Sequence, residues 1–189
     1  MTAPRAEGQR GNRFRPAAVF LHHGRFDHVY SVTPVCESAG VVAYIHGEDR
    51  YRLEDPLSAV GPQLIAMFEQ QFGQKATWQE PTDVVTLVHG QSLTLAGFDL
   101  GVLHAPGHTE GSVMFVLPEV PSSMASDVGV RSTALTGDVL FAGSIGRPDI
   151  PGGDGAAMNR SRRTAVLARG HVFVGRPGTG GVGCRGRWP

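Results

Sequence analysis

Three short segments, HHGRFDH (22–28), APGHTEGS (105–112) and TGDVLFAGSIGRPD (136–149), gather imidazole and carboxylate groups, and each stands beside an apolar run. That arrangement constrains the fold more than any other feature of the chain. A divalent metal needs several lone pairs converging on one point, and imidazole with carboxylate suits Zn²⁺, Fe²⁺ or Mn²⁺. Loops at the ends of neighbouring strands can supply that convergence from distant stretches of sequence. His23, Asp27 and His28 share the first segment, His108 lies between Gly107 and Thr109, and Asp138 follows Gly137. Each alone is ordinary, because a single loop His or Asp is usually solvated or caps the next segment.

The intervening sequence reads as mixed strands and helices in one domain of 189 residues. Pro16 to Leu21 and Val41 to Ile45 are short apolar runs expected to be buried strands. Between them Thr33-Pro34 suits a helix start, with Val35, Cys36 and Ala39 as its inner face and Gly40 as its stop. Pro62 to Phe72 spaces Leu64, Ile65, Phe68 and Phe72 as a helix does, so an amphipathic helix with its Met and Phe stripe in the core is expected. Val84 to Val88, Ser92 to Leu95 and Phe98 to Leu103 read as a β-meander, turning at HGQ and AG. Two more strands, Ser112 to Leu117 and Thr133 to Thr136, flank a long Pro/Ser-rich loop at 118–132, and Ala156 to Ala168 is a helix candidate.

Charge divides the chain further. Seventeen basic residues balance seventeen acidic ones, so no net field favours nucleic acid, a membrane surface or a polyanion. A small-molecule partner is expected. No apolar run of about 18 residues and no apolar stretch near Met1 marks a span or a secretory signal, which makes the cytoplasm the expected compartment. The two cysteines, Cys36 and Cys184, form neither a disulfide framework nor a thiolate site. Residues 1–16 read as a basic arm, 17–168 as the domain, and 169–189 as an irregular Gly/Arg-rich tail. No acidic residue follows Asp154, and the chain has sixteen Arg against one Lys, a pattern suggestive of an altered reading frame in a GC-rich gene.

The three segments, in order and context, resemble the metallo-β-lactamase superfamily: H-x-H-x-D-H, then His in P-G-H-T-x-G-S, then Asp in T-G-D, then a last His. PAAVFLHHGRFDHV, AYIHGEDRYRL, APGHTEGSV and TGDVLFAGSIGRPDIPGGD resemble its short bacterial glyoxalase II (hydroxyacylglutathione hydrolase) branch over roughly two-thirds of the chain. The resemblance implies an α/β (in some schemes α+β) αββα sandwich, here truncated at the N-terminus and altered at the C-terminus. It also implies up to two Zn²⁺ ions, with Fe²⁺ possible. One metal would be held by His23, position 25 and His108, and the other by Asp27, His28 and a final His. Asp138 would bridge them, Asp27 would also orient the attacking water, and the substrate would be a small thiolester such as a hydroxyacylglutathione. Ser144 and Arg147 would stand behind the ligands, or Arg147 would simply pair with Asp149. His22 is expected behind the ligands, His46 and His89 are expected to be solvated, and His104 is expected in the core or on the surface.

Two positions depart from that pattern. Position 25 is Arg, whose guanidinium has no lone pair to give and keeps its proton at accessible pH, so it cannot be a ligand. Arg25 is expected to pair with Asp27 or Asp138 as a counter-charge. His171 is the one histidine after His108, and its context, ARGHVFV, is not that of the family's final ligand loop. Two other readings therefore stand beside the hydrolase. One is a mononuclear-iron persulfide dioxygenase of the same superfamily, using His23, His108 and Asp138; the other is an inactive, frame-altered product.

Overall fold

The structure is a computed structural model that describes residues 15–120, 131–141, 144–167 and 171–175, with side chains as far as Thr164. Most of the arm 1–16, most of the loop 118–132, the side chain of His171 and the last part of the tail, including Cys184, lie outside the described residues.

Two sheets form the centre. Strands β1 (Val19–Phe20), β2 (Ala43–His46) and β3 (Val84–Leu87) pair in parallel in that order. Strands β4 (Ser92–Leu95), β5 (Phe98–His104), β6 (Val113–Leu117), β7 (Ser132–Gly137) and β8 (His171–Gly175) make the second sheet, antiparallel except that β8 runs parallel to β7. Side chains on successive strand residues point to opposite faces, and the burial follows that period of two. On β6, Val113 and Phe115 join a cluster with Leu87 and Val102 between the sheets, while Met114 joins Ala105, Val139, Leu140 and Met158 under helix α4 (Gly155–Leu167). On β2, Ala43 and Ile45 pack with Val29, Val32 and Cys36 of the short helix α1 (Phe26–Val29) and of α2 (Val32–Ala39), whereas Tyr44 faces the other sheet. Phe20 links the layers, with its ring 4.9 Å from Tyr44 and 5.3 Å from Phe115. The order helix, sheet, sheet, helix is the expected αββα sandwich.

Four details correct the sequence reading. First, the inner face of α2 is Val32, Thr33 and Cys36; Val35 and Ala39 face outward. The helix starts one residue earlier than Thr33, which turns the buried stripe away from Val35. Second, the third helix, α3 (Pro62–Phe72), has the expected bounds but no buried residue, and Leu64, Met67 and Phe72 are each more than half exposed. Its aromatic stripe packs only at the edge, Phe68 against Phe26 and Tyr30 at 5.6 and 4.8 Å. Third, β3 is no part of a meander. It lies in the other sheet, beside β2, and of the three strands only β4 and β5 pair as a hairpin, through Ala96 and Gly97 with φ of 52° and 83°, the double positive φ of a tight hairpin turn. Fourth, the tail expected to be irregular contributes β8, whose HVFVG is rich in residues that suit a pleated surface.

A 3-10 segment, Gly47–Leu53, follows β2 and carries Asp49, the residue that ties the site loops to the fold. Among the described residues no helix is long and apolar enough to cross a membrane.

Candidate metal centre

The first loop leaves β1 at Leu21 and is stitched to the second sheet by Val113 N–H donating to the His22 carbonyl at 2.9 Å. The His22 ring donates through Nδ1 to the Val113 carbonyl (3.0 Å) and lies against Gly137, where a Cβ would meet its ring at 2.6 Å. That close approach, with φ of 51°, requires glycine before Asp138. The second loop turns at Gly107, where a Cβ would collide with the Met158 backbone of α4.

Asp49 holds these loops together. It is fully buried; its Oδ2 accepts from Gly24 N–H and Thr109 Oγ1, both at 2.7 Å, and its Oδ1 accepts from Gly111 N–H at 2.8 Å. Arg52 supplies the counter-charge, 3.3 Å from Asp49 Oδ1, and reaches Glu110 at 2.5 Å. One buried carboxylate therefore spaces the His23 loop from the His108 loop. Sequence reading passed over it, since Asp49 lies in AYIHGEDRYRL without a ligand motif around it.

The loops bring His23, His108 and Asp138 together, all three buried, with one potential ligand atom from each within 4.8 Å of the others. His23 Nε2 and His108 Nε2 stand 3.9 and 3.6 Å from Asp138 Oδ2, and His28 Nε2 stands 3.6 Å from Asp138 Oδ1. These distances are too long for hydrogen bonds. They suit donors that share an ion bound at about 2.0–2.2 Å. Among the described residues, His23 Nε2, His28 Nε2, His108 Nε2 and Asp138 Oδ1 are buried with no hydrogen-bond partner. Leaving each such group unpaired costs about 1–3 kcal/mol, which a cation at their centre would offset.

The imidazoles are prepared for that role unequally. His108 Nδ1 lies 3.0 Å from the Arg147 carbonyl, which can only accept, so Nδ1 carries the proton and Nε2 offers its lone pair. His23 Nδ1 receives the Arg25 N–H at a long 3.3 Å, a weak contact that ligation through Nε2 would give up. Burial holds His23 far below the ordinary imidazole value, helped by His28, His108, His22 and Arg25. Burial also lowers His108, against the opposing pull of Asp138. Both are neutral near pH 7, as ligands must be.

The remaining expected residues lie at the edge. Asp27 is half-exposed, with its two oxygens 3.6 Å from Arg25 Nε and 3.8 Å from His28 Nε2, and it stays outside the three-residue group. Arg25 thus pairs with Asp27 rather than with Asp138. Arg147 turns its guanidinium to Asp149 (2.9 and 3.0 Å), leaving its main-chain oxygen as the contact to a ligand. Ser144 is exposed, with a main-chain bridge to Phe141. A second group, His46, Glu48 and His104, also brings three potential ligand atoms within 4.8 Å of one another, at the outer ends of β2 and β5.

The profile of the metallo-beta-lactamase superfamily matches residues 2–171. The chain belongs to that superfamily. It is 39% identical over 170 residues to an uncharacterized protein of Mycobacterium leprae, a match spanning 89% of this chain and 71% of that one. It is 33% identical over 151 residues to the hydroxyacylglutathione hydrolase GloC of Haemophilus influenzae, spanning 79% of this chain and 61% of GloC. Among solved structures, TTHA1623 in a di-iron-bound form superposes with a TM-score of 0.61 at 32% identity, over 86% of this chain and 70% of that one. Metal binding is a property of the superfamily, and the donor set described above fits a metal ion.

Proposed function

We propose that the protein is a metal-dependent hydrolase of small thiolesters, with one metal held by His23, His108 and Asp138 and with His28 alongside. The observation that carries this reading is the convergence of buried, unpaired imidazole and carboxylate atoms from three loops on one cation-sized space. Similarity to GloC supports the substrate class, with a hydroxyacylglutathione as the first compound to try. Zn²⁺ and Fe²⁺ both suit the donors. When bound, such a metal supplies Lewis acidity and makes a water molecule acidic near neutral pH.

The chain's own contribution is positional. The Arg147 carbonyl fixes the His108 tautomer, Asp49 sets the loop spacing, and the Arg25–Asp27 pair forms the outer wall beside His28. A cavity of about 520 Å³ opens next to this wall, lined by Gly24 to Asp27, and it is large enough for a thiolester of moderate size. The test is thiolester hydrolysis measured with metal content on the same preparation. Turnover that rises with bound metal is expected; metal-loaded protein without turnover would overturn the reading.

A second reading, a mononuclear-iron persulfide dioxygenase, is favoured by one observation: the assembled group is two histidines and one carboxylate, the donor set of open iron sites. Oxygen uptake by the iron-loaded protein on glutathione persulfide, without thiolester turnover, would move the assignment there.

A further inference from the structure

The cavity bounded by Gly24 to Asp27 of the metal loop is lined by two guanidinium groups, and they differ in what they already hold. Arg52 is held by several partners, although its Nε makes no hydrogen bond. It lies against Asp49 Oδ1 at 3.3 Å, against Glu110 Oε2 at 2.5 Å and near the Pro151 carbonyl at 3.4 Å. Arg25 has one ion-pair contact, Nε to Asp27 Oδ1 at 3.6 Å, which is longer than a hydrogen bond. Among the described residues its guanidinium makes no hydrogen bond, and about a third of the side chain is exposed. A guanidinium carries five N–H donors in a planar fork that matches a carboxylate. Among the described residues no acid of the cavity makes a hydrogen bond to it. Asp55 is turned to the Ser58 N–H at 3.1 Å, Glu54 is exposed, and Asp27 is shared with His28.

We propose that Arg25 is an anion anchor: it binds a carboxylate of the substrate in this cavity and so positions the thiolester beside His23, His108 and Asp138. The proposal rests on the thiolester-hydrolase reading. Arg25 stands where the resemblance implies a histidine ligand, so the loop that lost a metal donor gained a substrate contact. The carboxylate can come from the acyl group or from the thiol, and both present the same chemistry to the fork.

Four substrates separate the sources: the acetyl and hemisuccinyl thiolesters of N-acetylcysteamine, which has no carboxylate, and of glutathione, which does. A charge-assisted contact of this kind is worth roughly 10- to 100-fold in affinity. Arg25→Gln is expected to raise KM about 10-fold or more for the esters whose carboxylate it holds, with kcat changed less, and to leave acetyl-N-acetylcysteamine within about 2-fold. Arg25→Lys should recover part of the loss. A rise confined to the hemisuccinyl esters assigns the acyl group, and a rise confined to the glutathione esters assigns the thiol. An equal change for all four overturns the proposal. A second measurement does not depend on turnover: calorimetric titration of metal-free protein with succinate and with glutathione. Binding of either that Arg25→Gln abolishes supports the anchor even if no ester is hydrolysed, and binding of neither, or binding that Arg25→Gln leaves intact, overturns it.

Discussion

Two clusters in this molecule hold the same residue types and differ in what those residues can do. His23, His108 and Asp138 are all buried, and His23 Nε2, His108 Nε2 and Asp138 Oδ1 lack hydrogen-bond partners among the described residues. His46, Glu48 and His104 are as close to one another, yet both imidazoles already hold other partners. The two imidazoles stack face to face, 4.0 Å apart and 14° from parallel, so their in-plane lone pairs run side by side instead of converging. His104 Nε2 lies 2.8 Å from the Glu110 carbonyl, and His46 Nδ1 accepts from Glu48 N–H at 3.3 Å. Proximity of ligand types is therefore not enough. What makes a metal site is convergent lone pairs with no competing partner, in a place where leaving them unpaired is costly.

The comparison can be broken most sharply at Asp138. Loss of a group behind the ligands costs about 10- to 100-fold in metal affinity, so Asp138→Ala, which removes a donor, should cost more than 100-fold in a competition titration. Undiminished affinity would remove Asp138 from the ligand set. An effect of similar size is expected behind the ligands. Asp49→Ala would leave Gly24 N–H, Gly111 N–H and Thr109 Oγ1 without their buried acceptor and would take from Arg52 one of its two carboxylate partners. The expected cost is about 3 kcal/mol or more, read as a lower denaturation midpoint in urea. Arg25→His works in the opposite direction. It adds an imidazole and removes a cation beside His23, and it should tighten metal binding by about 10-fold, measured by chelator competition.

Acid provides a milder test. The imidazoles of His22, His23, His46 and His108 all sit below the ordinary value of 6.5, burial being the first cause in each. The unfolded chain therefore takes up more protons than the folded one as pH falls below 6.5, and metal-free protein should lose stability through that range while changing little above it. A urea midpoint that stays flat from pH 7.5 to 5.5 would contradict this. The smallest effect belongs to α3: Met67→Lys, at a side chain 64% exposed, should shift stability by no more than about 0.5 kcal/mol.

The contrast also explains what could be read from the chain. The three ligand segments were legible because each joins a ligand type to a glycine at a turn, and the chemistry allows few other uses for that combination. The bounds of α3 were legible because Pro62 and Gly73 punctuate it, but an amphipathic stripe does not name what it packs against, and here it packs on little. The partner of β3 was not legible, because Val84 pairs with Ala43 across about forty residues and local pattern carries no record of that choice. Asp49 and the Arg147 carbonyl were missed for different reasons. Asp49 acts on main-chain N–H groups that every residue has, and a carbonyl has no side-chain signature at all.

The central claim is that His23, His108 and Asp138 hold the metal and the outer histidine group does not. Metal per chain, measured by mass spectrometry on the wild type beside His108→Ala and His104→Ala, tests it most directly. One ion per chain is expected in the wild type and in His104→Ala, with nearly none in His108→Ala. An ion that persists in His108→Ala and disappears in His104→Ala would contradict it.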